Sequence, residues 1–101
     1  LVDAAVKVEA ARLLLRQAAE ASDSGGAADD TMSAVAKLAA SEAATNATDT
    51  GMRVMGGWGM ARALPMQRYF RDARLYTFAP LTDEVIRNYL GEKLLGLPRS
   101  Y

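Results

Sequence analysis

Residues 52–84 read MRVMGGWGMARALPMQRYFRDARLYTFAPLTDE, and the punctuation of this stretch decides the fold. Gly56-Gly57-Trp58-Gly59 places three glycines in four residues, which permits positive φ and close backbone approach, so a loop is expected there. Pro65 suits the first turn of a helix, and the composition carries that helix to about Tyr76. Phe78-Ala79-Pro80-Leu81 breaks it, because a proline biases the preceding residue away from the α region. Thr82 then offers an N-cap hydroxyl, and Asp83 and Glu84 fall in a first turn, where the helix dipole favours acids. The stretch therefore reads as helix end, loop, short helix, break and helix start.

Downstream, Val85, Ile86, Tyr89, Leu90, Leu94 and Leu95 give the last helix its apolar residues. Gly96 closes it, Leu97-Pro98 prevents continuation, and Arg99-Ser100-Tyr101 is a tail. Upstream, Asp29, Asp30 and Thr31 are cap candidates for a helix running to about Met55. Its face of Val35, Ala36, Leu38, Ala39, Ala43, Ala44 and Ala47 lets a neighbour approach closely. Gly51 costs that helix about 1 kcal/mol relative to alanine, so close approach of a backbone or a ligand is expected there. The first helix spans Leu1 to about Ser22 and is stopped by Ser24-Gly25-Gly26. Leu1, Ala5, Val8 and Leu15 keep helical spacing, and Val2, Val6 and Leu13 widen the apolar face towards a second neighbour. No strand or internal repeat emerges. The fold class is all-α: one domain over residues 1–101, an up-and-down bundle of four helices of about 22, 25, 11 and 13 residues.

Half of the 101 residues are hydrophobic, but much of that half is alanine, which buries little area. Stability is expected to depend on close helix packing or on partner chains. There is no cysteine and no histidine, which excludes disulfides, thiolate metal sites, a cysteine nucleophile and a Ser-His-Asp arrangement; no metal is expected. No apolar run approaches the ~20 residues of a membrane span, and no signal-peptide pattern is present, so a cytoplasmic location is expected. Net charge is zero but uneven. Residues 1–50 hold four basic and eight acidic side chains, and residues 51–101 hold eight and four. The basic half fits anionic ligands such as phosphates, or an acidic pair of helices packed beside a basic pair. Arg68, Tyr69, Phe70, Arg71, Arg74 and Tyr76 interleave arginine with aromatics, but without lysine or a larger net charge they do not make a nucleic-acid site. Arg71-Asp72 reads as a charge pair fixing the short helix, and Trp58 as interface or pocket packing.

Three ordered pieces resemble the C-terminal helical domain of the acyl-CoA dehydrogenases, flavin enzymes that introduce a double bond α,β to a thioester. They are Met55-Gly56-Gly57-Trp58-Gly59, the segment Pro65-Met66-Gln67-Arg68-Tyr69-Phe70-Arg71-Asp72-Ala73-Arg74, and Thr82-Asp83-Glu84-Val85-Ile86-Arg87. Val8-Glu9-Ala10-Ala11-Arg12 and Ala36-Lys37-Leu38-Ala39-Ala40 look like the family as well, so the resemblance covers nearly the whole chain.

The resemblance implies FAD as cofactor, acyl-CoA as substrate, an electron-transfer acceptor, a role in fatty acid metabolism, and a homo-tetramer or hetero-oligomer with flavin shared near the interface. Arg53, Val54, Met55, Gly56 and Gly57 would lie against a flavin nucleotide bound mainly by a neighbouring subunit, or form a plain helix end at an interface. Arg53 stands where the family usually has glutamine; arginine still donates, and its charge suits phosphate. Thr82 and Glu84 would touch the flavin of their own subunit, at a helix start whose free amides favour an anion. Pro80 occupies the position of the family's usual glutamate base, and proline cannot abstract a proton. The base is then expected on a preceding helix of a longer chain, since this one opens at Leu1 in mid-pattern and lacks that helix of the family domain; otherwise the subunit lacks its own base and pairs with a competent one, or the subfamily uses different chemistry. The 101 residues alone are not expected to catalyse. A non-catalytic assembly subunit that kept the fold and lost the flavin is the alternative.

Overall fold

The computed structural model describes residues 1–24 and 30–99. It contains four α-helices: α1 (Val2–Asp23), α2 (Asp30–Met55), α3 (Met66–Leu75) and α4 (Asp83–Leu95). A 3-10 turn over Gly56–Met60 stands where a loop was expected, and the described residues include no strand. Asp30 and Thr31 lie inside the first turn of α2, whereas Gly25, Gly26 and Asp29 fall outside the described residues.

The 26 residues of α2 make a rod about 39 Å long, and every other element packs on it. Among the described residues the backbone of α1 packs on α2 and not on α3 or α4, and a cavity lined by Lys7, Glu42, Arg74 and Glu84 among others separates them. The seam is alanine. Ala4 and Ala11 of α1 and Ala36 and Ala43 of α2 are buried, each pair seven residues apart, which brings the same face round after two turns. Ala73 of α3 and Ile86 of α4 complete the buried apolar set, and Ile86 is its one large member.

This corrects the expected face of α1. The buried side is Ala4, Val8, Ala11, Leu14, Ala18 and Ala21, with Val8 and the last three half-buried. Leu1, Ala5 and Leu15 are exposed. Val2, Val6 and Leu13 stand on the opposite side, 76%, 63% and 64% exposed, so the second neighbour they point to is not among the described residues.

Local chemistry sets the ends. Thr82 Oγ1 accepts from Val85 N at 3.2 Å and caps α4. Gly96 closes that helix in the left-handed region at φ 65°, and Leu97 N donates to Gly91 O, a Schellman closure. Pro65 is the N-cap of α3 rather than its first residue. The guanidinium of Arg71 meets Gln67 Oε1, and no ion pair joins it to Asp72 among the described residues. The arginine–aromatic interleaving of α3 is partly self-contained: Arg68 lies 5.5 Å from the Tyr69 ring centre and Arg74 6.0 Å from that of Phe70.

Two glycines answer to methionines. A Cβ on Gly51 would sit 2.8 Å from Met66 Sδ, so a thioether, not a backbone or a ligand, occupies that approach. A Cβ on Gly59, which is buried, would meet Met52 Sδ at 3.2 Å and Met52 O at 3.3 Å. Backbone cannot yield as a side-chain tip can. Gly59→Val is therefore expected to destabilise the protein by about 1–3 kcal/mol through overpacking. The check is a lowered urea midpoint of the full-length protein at unchanged slope; an unchanged midpoint would show that the 3-10 turn is not wedged against Met52.

Candidate functional site

The residues singled out in the sequence fall in two places. The first is the end of α2. Arg53 and Val54 are exposed and Met55 is half-buried. Gly56 turns the chain at φ 55°, which favours glycine, and nothing lies within 4 Å of a Cβ on Gly56 or Gly57. Whatever meets this turn comes from outside the described chain. Trp58 beside it is 73% exposed.

The second place is the start of α4. Glu84 is exposed, with Arg87 Nη1 3.9 Å from its carboxylate. The expectation of free amides is only partly met. Asp83 N donates to Thr77 O at 2.9 Å and Val85 N to Thr82 Oγ1, so two donors at this helix start are engaged internally. Arg87 also pairs with Glu42 at 2.7 Å, across from the acidic half of the chain to the basic half.

Between the two places runs α2. Ser41, which touches the start of α4, precedes Gly56 by fifteen residues, or about 22 Å of helix.

Sequence reasoning missed a buried network at the second place. Asp83, 5% exposed, receives Lys37 Nζ at 2.5 Å and Ser41 Oγ at 2.8 Å from each carboxylate oxygen. Lys37 Nζ also donates to Tyr76 O at 2.8 Å and Leu81 O at 3.1 Å. Three donor protons meet three acceptors, which a lysine can satisfy. Residues 37 and 41 are one turn apart on α2, so both reach the same neighbour. That one-turn spacing was the available signal.

The network brackets the segment Tyr76–Leu81, which contains a cis Ala79–Pro80 bond. A cavity of about 410 Å³ lies on one side, lined by Lys37, Pro80, Leu81, Val85, Ile86 and Tyr89 among others. A second of about 310 Å³, lined by Lys37, Ser41, Tyr76, Ala79 and Pro80 among others, lies on the other. The walls are mainly apolar. Asp83 is held by Lys37 and Ser41, and Pro80 carries no base, so this face can shape a ligand but supplies no free proton acceptor from the segment itself.

The sequence family described as "Acyl-CoA dehydrogenase, C-terminal domain" matches residues 1–95. The chain belongs to the acyl-CoA dehydrogenase family. It is similar to the acyl-CoA dehydrogenase FadE12 of Mycobacterium tuberculosis (37% identical, covering 95% of this chain and 25% of that protein). It is similar to the short-chain specific mitochondrial acyl-CoA dehydrogenase of Bos taurus (40% identical, 99% and 24%). The 3-sulfinopropanoyl-CoA desulfinase of Variovorax paradoxus is comparably similar (39% identical, 94% and 23%). A chain solved in work on the electron transferring flavoprotein of Acidaminococcus fermentans superposes with a TM-score of 0.87 at 33% identity, over 93% of this chain and 24% of that one. The chain spans about a quarter of the length of the acyl-CoA dehydrogenase relatives it matches. No helix of the described residues is long and apolar enough to cross a membrane.

Proposed function

We propose that this chain is the C-terminal helical part of an FAD-dependent acyl-CoA dehydrogenase that desaturates an acyl-CoA thioester between its α and β carbons. The observation that carries this reading is the family match over residues 1–95. FAD, when bound in the whole enzyme, supplies the acceptor for the hydride leaving the β-carbon. The residues here fit such a group in two ways. Arg53 to Gly57 offer an exposed glycine turn with nothing of this chain against it, suited to the nucleotide of a flavin held by another subunit. Thr82 and Glu84 stand at the start of α4, which meets α2 at Ser41, about 22 Å of helix before that turn, and there a second flavin, that of the same subunit, would be met. The separation supports two flavins shared across an interface, and with it a homo-tetramer or hetero-oligomer. Phe78 to Leu81 would form a wall near the reacting carbons. Pro80 has no basic group, so the base that takes the α-proton lies outside the Tyr76–Leu81 segment. An electron-transferring flavoprotein is the natural acceptor class, in keeping with the structural likeness.

The desulfinase among the relatives also acts, by its name, on an acyl-CoA. The thioester substrate is thus common ground, and desaturation is the more specific part of the proposal. Pro80 and Arg53 favour a second reading, in which the domain is a non-catalytic assembly module. Flavin content separates the two. In the purified full-length protein, Gly57→Val and Arg53→Ala are expected to lower FAD occupancy, Gly57→Val about tenfold in affinity by closing the backbone approach. If occupancy is the same in both variants as in the wild type, the turn is interface packing and the module reading gains.

A further inference from the structure

Lys37 lies on α2, yet its three bonds end on the far side of the bundle. One goes to the last turn of α3, at Tyr76 O, and one to Leu81 O, the residue before the α4 cap. The third goes to Asp83, which Ser41 holds from the same helix. Both ends of the segment Tyr76–Leu81 are thus fixed to one ammonium group on the rigid central helix. Between the two anchors, Phe78 and Pro80 are exposed and Ala79 is half-buried, and both apolar cavities open against this segment. A short irregular segment with exposed apolar tips holds a defined position only if its backbone is tied down. Here the ties are two carbonyls on one lysine, and Asp83 fixes that lysine. With its donors all engaged, Lys37 has none left for a ligand.

The geometry points to Lys37 as a positioning residue: with Asp83 and Ser41 behind it, it sets the placement of the Tyr76–Leu81 wall against the reacting part of the acyl-CoA. This rests on the reading of the chain as part of an acyl-CoA dehydrogenase. The consequence is a rate effect separable from stability, because a wall displaced by about 1 Å misaligns the thioester at a cost of tenfold to a hundredfold in rate.

The test uses the full-length protein loaded with FAD, a series of acyl-CoA thioesters from butyryl- to palmitoyl-CoA, and an artificial electron acceptor. Lys37→Met/Asp83→Leu removes the buried pair together, so no charge is stranded and folding is retained. Lys37→Arg keeps the charge opposite Asp83 but moves the donors away from the two carbonyls. In both variants kcat is expected to fall about tenfold or more, with KM within about threefold of wild type and FAD content unchanged. For the double variant, the thermal midpoint is expected to stay near that of wild type. A purely structural role would give the opposite pattern, with kcat restored wherever the thermal midpoint is. Wild-type kcat in a stable double variant overturns the inference and leaves the dehydrogenase reading standing. A wild-type protein that binds FAD but turns over no acyl-CoA overturns both.

Discussion

Lys37→Met alone is expected to destabilise the full-length protein by about 3 kcal/mol. The reason is what it leaves behind. Asp83 is 5% exposed and its backbone starts α4, so its carboxylate cannot turn to solvent without undoing the helix start. Ser41 would remain as its one side-chain donor. Two carbonyls, Tyr76 O and Leu81 O, would lose their donor at the same time. Removing both charges in Lys37→Met/Asp83→Leu should recover most of the loss, since an apolar pair of similar volume avoids the desolvation of a buried charge. A double-mutant cycle on the urea midpoint measures this directly. A coupling near zero would mean that Asp83 is solvated in the protein and that the network does not hold α3 and α4 to α2. By contrast, Arg12–Glu9 is exposed on both sides, and its removal should shift the midpoint by less than about 0.5 kcal/mol.

The second large effect concerns the 101-residue chain by itself. Among the described residues the buried apolar set is five alanines and Ile86, and no large side chain is fully buried. Val2, Val6 and Leu13 form an exposed stripe on α1, and Val54, Trp58, Met60, Leu94 and Leu95 are exposed as well. A core of this kind yields little transfer free energy against the entropy of ordering the chain. Expressed alone, residues 1–101 are expected to show helical circular dichroism without a cooperative thermal transition, to bind a hydrophobic dye and to self-associate. Val6→Glu with Leu13→Glu should suppress the self-association. In the full-length protein, the same pair should impair folding or assembly. A monomer that melts in one sharp transition would contradict this account of what covers α1.

The element boundaries were legible because capping and turn chemistry is local. Thr82, Gly96, Pro65 and the Gly56-Gly57 pair each act within a few residues, and each falls at or beside a helix end. The packed face of α1 was less legible. Leucine and valine dominate an apolar pattern, yet here Ala4 and Ala11 are the most buried residues of α1, while Val2, Val6, Leu13 and Leu15 are exposed. Periodicity finds a stripe, but it cannot say which of two stripes meets a neighbour in the same chain. The buried network was not legible either. Lys37 and Asp83 are 46 residues apart, and an acid in a first helical turn has a sufficient local explanation in the helix dipole. Arg71-Asp72 is the converse case: adjacent opposite charges suggested a pair, but the Arg71 guanidinium turns to Gln67 one turn away.

The dehydrogenase reading stands on the family match over residues 1–95. Its most direct test is anaerobic mixing of the purified full-length protein with acyl-CoA thioesters of graded chain length, followed by the flavin absorbance. The account predicts a yellow protein whose flavin band bleaches with one of them as an α,β-unsaturated thioester forms. A colourless protein, or a flavin that stays oxidised with every thioester, would contradict it.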